Sequence, residues 1–172
     1  MAYTSIYTSP FGEILLAADG IGLTGLWFKG QKYYAADLGD NHEERKMPVL
    51  DSAGKWLDIY FSGREPNFTP KIHLVGTDFQ LSVWNILNEI PYGETVTYGY
   101  IARQLEKRGE WVKMSAQAVG GAVGHNKISI IVPCHRVVGA KGGMTGYAAG
   151  IDTKIALLSL EKNCIKSGGT VQ

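Results

Sequence analysis

Long apolar runs are missing from this chain. No stretch reaches the roughly 18 apolar residues that a membrane-crossing helix needs. The N-terminal MAYTSIYTSPFGE lacks a basic segment followed by an apolar one, so no secretory leader is expected. Cysteine is scarce, with only Cys134 and Cys164. That excludes a disulfide framework and points to a reducing compartment, the cytoplasm or, in a eukaryote, the nucleus. His42, His73, His125 and His135 show no ligand spacing, so no metal site is expected. The glycine-rich loop at 139–146 lacks the Gly-Lys-Ser/Thr ending of a P-loop. No internal repeat or low-complexity tract is present.

What is present suits one ordinary domain or two small ones: 172 residues, 45% hydrophobic and 19% charged. The net charge of +1 hides an uneven distribution. Residues 1–75 carry seven Lys/Arg and nine Asp/Glu. Residues 95–141 carry seven Lys/Arg against only Glu106 and Glu110, a local charge of +5. That is the sign a polyanion attracts, although solvated surface cations give the same count.

The N-terminal part reads as strands followed by a helix. EILLAA and IGLTGLWF are apolar runs separated by Asp19-Gly20, a two-residue hairpin signal. Leu50, Ala53, Leu57 and Tyr60/Phe61 recur at helical spacing between Pro48 and a stop at Gly63. REPNFTPKIHLVG has two prolines and no periodicity, which places a boundary near residue 76. Beyond it the chain reads as mostly helical. Thr77 or Asp78 caps one helix, Thr97 a second stopped by Gly109, Ser115 a third (SAQAVGGAVGHN), and Asp152 the last. The second and third, joined by a turn, form a candidate helix-turn-helix.

The chemistry concentrates in ISIIVPCHRVVGA, residues 128–140. The apolar run reads as a buried strand that Pro133 ends, placing Cys134 at a strand exit. A free thiol has a pKa of about 8.5 and needs activation at neutral pH. Strand neighbours point to opposite faces, so contact between Cys134 and His135 requires a turn or a relaying water. An inert buried cysteine is the competing reading. Glu161 has apolar residues three and four positions before it, so it leans toward the buried face or stands solvated. Tyr98, at a helix start, is a proton donor or simply packs. A cysteine hydrolase would need a remote base, and none of the other histidines carries a supporting motif.

IVPCHRVVGAKGGMTGYAAG, with AVGGAVGHN before it, LLSLE after it and FQLSVWNILNEIPYGETVTYGYIA upstream, resembles the O6-alkylguanine-DNA alkyltransferase family over about residues 77–163. Residues 1–76 match more loosely. The resemblance implies an α+β fold. Residues 1–76 would form a ribonuclease-H-like domain with a small antiparallel sheet and a helix. Residues 77–172 would form a mainly helical, winged-helix-like helix-turn-helix domain. It implies irreversible transfer of the alkyl group from an O6-alkylguanine, flipped from the minor-groove side of duplex DNA, to Cys134. O4-alkylthymine stays open as a second substrate. His135 would be the base acting through a water, Glu161 its orienting carboxylate, and Asn126 the holder of the local turn. Tyr98 would be the proton donor toward N3 of guanine. Val137, Tyr147, Ala148 and Ala149 would bound the base. Ser115, Ala116, Gln117, Ala118, Gly120, Gly121 and Arg136 would meet DNA. No cofactor, no membrane partner and a monomer in solution are expected.

Two departures from the family pattern stand out. Gln117 occupies the place of an intercalating arginine, and the methyl of Ala149 replaces a frequent glycine, which is expected to narrow the pocket. Cys164 matches no functional position. A damage binder that transfers nothing and a helix-turn-helix regulator with a structural Cys134 are the alternative classes.

Overall fold

The computed structural model describes residues 1–109 and 111–166. Four strands form the N-terminal sheet: β1 (Ala2–Ser9), β2 (Gly12–Ala18), β3 (Leu23–Phe28) and β4 (His42–Glu44). Their spatial order is β3-β2-β1-β4. β1, β2 and β3 pair antiparallel, as expected, but β4 pairs parallel to β1, so the sheet is mixed. The three residues of β4 are polar and exposed, which is why no strand signal marks them.

The apolar run of β2 is explained by burial on both faces. Ile14, Leu16 and Ala18 join the main core, while Leu15 and Ala17 pack with Trp27 under Ala35 and Leu38. The β2–β3 connection is a four-residue loop, not the two-residue turn that Asp19-Gly20 predicts. Asp19 Oδ1 accepts from the amides of Ile21 and Gly22 at 2.8 and 3.0 Å, so the side chain closes the loop instead of positive φ angles.

Helix α1 (Pro48–Phe61) starts on its proline and buries Leu50, Ala53, Trp56, Leu57 and Tyr60 against the sheet. It stops at Gly63, whose φ of +87° favours glycine. The linker then runs along the edge of β3, where Leu23 N donates to Lys71 O and His73 N to Leu23 O.

α2 (Asp78–Leu87) opens with a capping box in which Thr77 and Gln80 satisfy each other's amides. β5 (Val96–Thr97) leads directly into α3 (Tyr98–Lys107), and α4 (Ala116–Gly124) is capped by Ser115. Trp84 Nε1 donates to Ala122 O at 2.9 Å and fixes α4 on α2. β6 (Val137–Val138) pairs parallel with β5. α5 (Ile151–Lys166) closes the described chain. It begins after Gly150, so Asp152 lies in its first turn and is not its cap.

The expected strand at 128–132 does not form. Ile128 makes one bridge to Leu26 on the edge of β3, then the chain turns through Ile130 at φ +68°. Its apolar character reflects burial in the core rather than sheet pairing. The bridge hydrogen-bonds the N-terminal sheet to the segment that carries Cys134.

Candidate active site

Cys134 sits in a single 3-10 turn, Cys134–Arg136, not at a strand exit. Pro133 has no amide to donate and its carbonyl accepts from Arg136 N at 3.0 Å. Asn126 supports the turn. Its Nδ2 donates to Val132 O at 2.8 Å and Ile128 O at 3.3 Å, and its Oδ1 accepts from Ile128 N. The turn removes the strand alternation that separates neighbouring side chains.

Glu161 is the hub beneath the turn. Its carboxylate accepts from His135 Nε2 (2.5 Å), Arg136 Nε (2.8 Å), Tyr60 OH (2.7 Å) and Gly93 N (2.9 Å). Arg136 Nη2 adds a contact at 3.2 Å. Glu161 and His135 are wholly buried. Burial alone pushes a carboxyl up, but His135 and Arg136 outweigh it and bring Glu161 down to about 2. The anion needs donors, so it fixes the proton of His135 on Nε2 and leaves Nδ1 as the acceptor. No described residue hydrogen-bonds that Nδ1. Burial holds His135 below the ordinary histidine range despite Glu161, and the cations Arg136 and Lys154 push the same way. The ring is therefore neutral at pH 7, a competent base.

Cys134 is 6% exposed. Burial pushes its thiol up to about 11, although the Asn126 amide and Lys154 pull it down. The resting group is a thiol, so it needs a base at the moment of reaction. Lys154 is a further member of the site, one that its residue type does not announce. It is fully buried on α5, and its Nζ donates to Val137 O at 2.5 Å and Thr145 O at 3.2 Å. Its signal was the spacing of Lys154, Leu157 and Glu161, which puts all three on one buried face.

Above the sulfur is a cavity of about 480 Å³, within the range of small-molecule sites. Tyr98, Gly120, Gly121, Asn126, Cys134, Tyr147 and Ala148 line it. The β5–β6 ladder pairs Val96 with Val137 and Thr97 with Val138, which sets Tyr98 beside the segment after Cys134. The Thr145 hydroxyl donates to Tyr98 OH at 3.0 Å, leaving the phenolic proton available.

Three expected site residues lie elsewhere. Arg136 does not face outward: it is buried, held by Glu161 and donating through Nη1 to Ile90 O at 2.8 Å. Val137 is fully buried outside the cavity wall, and its carbonyl is occupied by Lys154. Ala149 lines a neighbouring cleft with Phe11 and Phe28, so its methyl does not narrow this cavity. The basic segment is also less free than its composition implies. Besides Arg136, Lys127 pairs with Asp37 and Arg108 with Glu89. Arg103, Lys107, Lys113 and Lys141 are exposed.

On α4, Ser115, Ala116, Gln117 and Gly121 are exposed, and Ala118 and Gly120 are half-buried. A Cβ at Gly121 or Gly124 would meet nothing, and one at Gly120 would make only an ordinary contact with Tyr98. Internal packing does not require these glycines. Among the described residues, no three His, Cys, Asp or Glu side chains gather as a metal site. No described helix is long and apolar enough to cross a membrane.

A thiol with a neutral, carboxylate-oriented imidazole, at the floor of a cavity walled by a glycine-rich helix, defines a protein with a cysteine nucleophile. Two family models cover the chain. The 6-O-methylguanine DNA methyltransferase ribonuclease-like domain matches residues 2–74, and the DNA binding domain of that name matches 78–163. A methylated-DNA–protein-cysteine methyltransferase of Methanosarcina acetivorans is 46% identical over 94% of this chain and 99% of its own. One from Mycobacterium bovis is 46% identical over 90% and 89%. The crystal structure of Mycobacterium tuberculosis OGT in complex with DNA superposes with a TM-score of 0.78, at 44% identity, over 94% and 92% of the two chains. The chain belongs to the 6-O-methylguanine DNA methyltransferase family.

Proposed function

We propose that this protein repairs O6-alkylguanine in duplex DNA by moving the alkyl group to Cys134, once per molecule. The observation that carries the reading is the buried Cys134 thiol facing a cavity, with the free Nδ1 of a neutral His135 in the same turn. The target carbon is stacked inside a duplex, so the nucleotide must be extruded, at a cost of a few kcal/mol. The bare outer face of α4 lets backbone approach the minor groove closely. His135 Nδ1 takes the thiol proton through a bridging water. Sulfur then attacks the alkyl carbon, the carbon–sulfur bond forms, and the carbon–oxygen bond breaks with its electron pair passing to the guanine. Tyr98 supplies a proton toward N3, so guanine leaves neutral. A thioether offers no easy way back, which limits each molecule to one transfer.

The division into residues 1–76 and 77–172 is part of the same proposal, supported by the gap between the two family matches. A location in the cytoplasm alongside DNA also follows from it. The test is to mix the protein with a duplex holding one O6-methylguanine, digest it, and weigh the Cys134 peptide. One added methyl per molecule without turnover is expected. Binding with no mass change would favour a damage binder or a regulator.

Two variants probe the assigned roles. Tyr98→Phe keeps the ring and removes the proton, so single-turnover transfer should slow about 10²-fold while duplex affinity barely moves. Equal losses in both would remove its role as the acid. Gln117→Arg adds a cation on the exposed start of α4. Duplex affinity should tighten about fivefold, and the log-log salt slope should steepen by about one. Unchanged or weaker affinity would count against placing residue 117 at the DNA.

A further inference from the structure

The loop between β3 and β4 crosses from the N-terminal sheet to the cavity. It is a chain of tight turns, with Tyr34 N donating to Gln31 O, Ala36 N to Tyr33 O, and Leu38 N to Ala35 O. Tyr33, Ala35 and Asp37 adopt φ values of 60°, 54° and 63°. Such left-handed non-glycine residues cost about 1–3 kcal/mol each and persist where surrounding contacts fix them. Those contacts are present. Lys32 N donates to Ala148 O at 3.0 Å, and Asp37 pairs with Lys127 at 2.6 Å. The Tyr33 ring stacks on His125, at the end of α4, with centroids 4.1 Å apart and planes 25° apart. Tyr33 and His125 line the same cavity as Cys134. Yet Tyr33 is 40% exposed, so its ring is not required by the core.

We infer that Tyr33, braced on His125, is a side wall of the acceptor cavity that sets the size of alkyl group the protein accepts. The inference rests on the alkyl-transfer reading above. In-line displacement fixes sulfur, carbon and oxygen on one axis. A methyl group carries only hydrogens off that axis. A larger alkyl group must place its remaining atoms sideways, against the cavity walls. The glycine-rich face of α4 and the Tyr147–Ala148 segment bound two sides, and the Tyr33–His125 pair bounds another. A glycine would relieve the backbone at residue 33. What the position gains from tyrosine is the ring.

The test compares wild type, Tyr33→Gly and Tyr33→Trp in single-turnover reactions read as mass added to the Cys134 peptide. Substrates are duplexes with one O6-methylguanine or one O6-benzylguanine, and free O6-benzylguanine base, for which DNA docking plays no part. Tyr33→Gly removes the ring while relaxing the φ of 60°. The methyl rate should stay within about threefold across the series, while both benzyl rates rise about tenfold for glycine and fall about tenfold for tryptophan. A constant benzyl-to-methyl ratio would overturn the inference. So would a parallel fall of all rates in Tyr33→Gly, which would mean that the ring only holds the loop. Failure of the wild-type protein to gain methyl from the duplex would instead sink the alkyl-transfer reading itself.

Discussion

Cys134→Ser abolishes alkyl acceptance: with an O6-methylguanine duplex, the digested peptide keeps its unmodified mass, while the duplex is bound as by wild type. An unactivated hydroxyl is a far weaker nucleophile than a thiolate, and at least about a 10³-fold loss in rate is expected. His135 can relay a thiol proton near neutrality, but it cannot hold one from an alcohol long enough for displacement at carbon. The substitution changes volume little, and the turn held by Asn126 does not depend on the sulfur. Unchanged binding therefore separates the chemical role from a structural one. Methyl found on another residue of the variant, Cys164 above all, would overturn the assignment of Cys134.

Glu161→Gln should damage rate and stability together. The amide would turn a donor toward groups that now donate to the carboxylate, and it would leave the buried Arg136 guanidinium unneutralised. Breaking such a pair from one side costs about 3–5 kcal/mol. For a chain of this size that lowers the melting temperature by about 10 °C. Transfer measured well below melting should fall on the order of 10³-fold, because the His135 tautomer is no longer fixed.

The acid limb of the stability curve gives an independent reading. Glu161 lies at about 2, against an ordinary 4.5. Its contribution is fully present above about pH 4.5 and is lost as pH falls toward 2. The shift corresponds to roughly 3 kcal/mol at neutral pH. Denaturant titrations at pH 7, 4 and 3 should show this loss in wild type and a flatter profile in Glu161→Gln. Parallel profiles would mean that the carboxylate is not the hub of the network.

Local signals in the sequence reported what local physics decides. The caps Thr77, Thr97 and Ser115 stand where the helices begin, because each side chain serves amides within three residues. Gly63 and Gly109 end helices through their own φ angles. The family resemblance assembled the candidate site, and Cys134, His135, Glu161, Tyr98 and Asn126 gather around one turn and one cavity. What failed was decided at a distance. The run 128–132 reads as a strand, but its partner edge offers one bridge, so burial without pairing mimicked the strand signal. Arg136 reads as a surface cation because Glu161 lies 25 residues on. Tyr60 reads as an apolar helix position because its hydroxyl finds Glu161 across 101 residues. Lys154 was hidden by the prior that lysine is solvated.

That hydroxyl has a consequence for the architecture. Tyr60 belongs to the helix of the N-terminal half, yet it ligates the carboxylate that orients the imidazole of the C-terminal half. Severing the polypeptide after residue 76 would strip a donor from a sealed anion and uncover the strip where Ile128 meets Leu26. The halves are thus thermodynamic partners that should melt in one calorimetric peak. Substitutions in the N-terminal half are bounded wherever they touch this shared wiring.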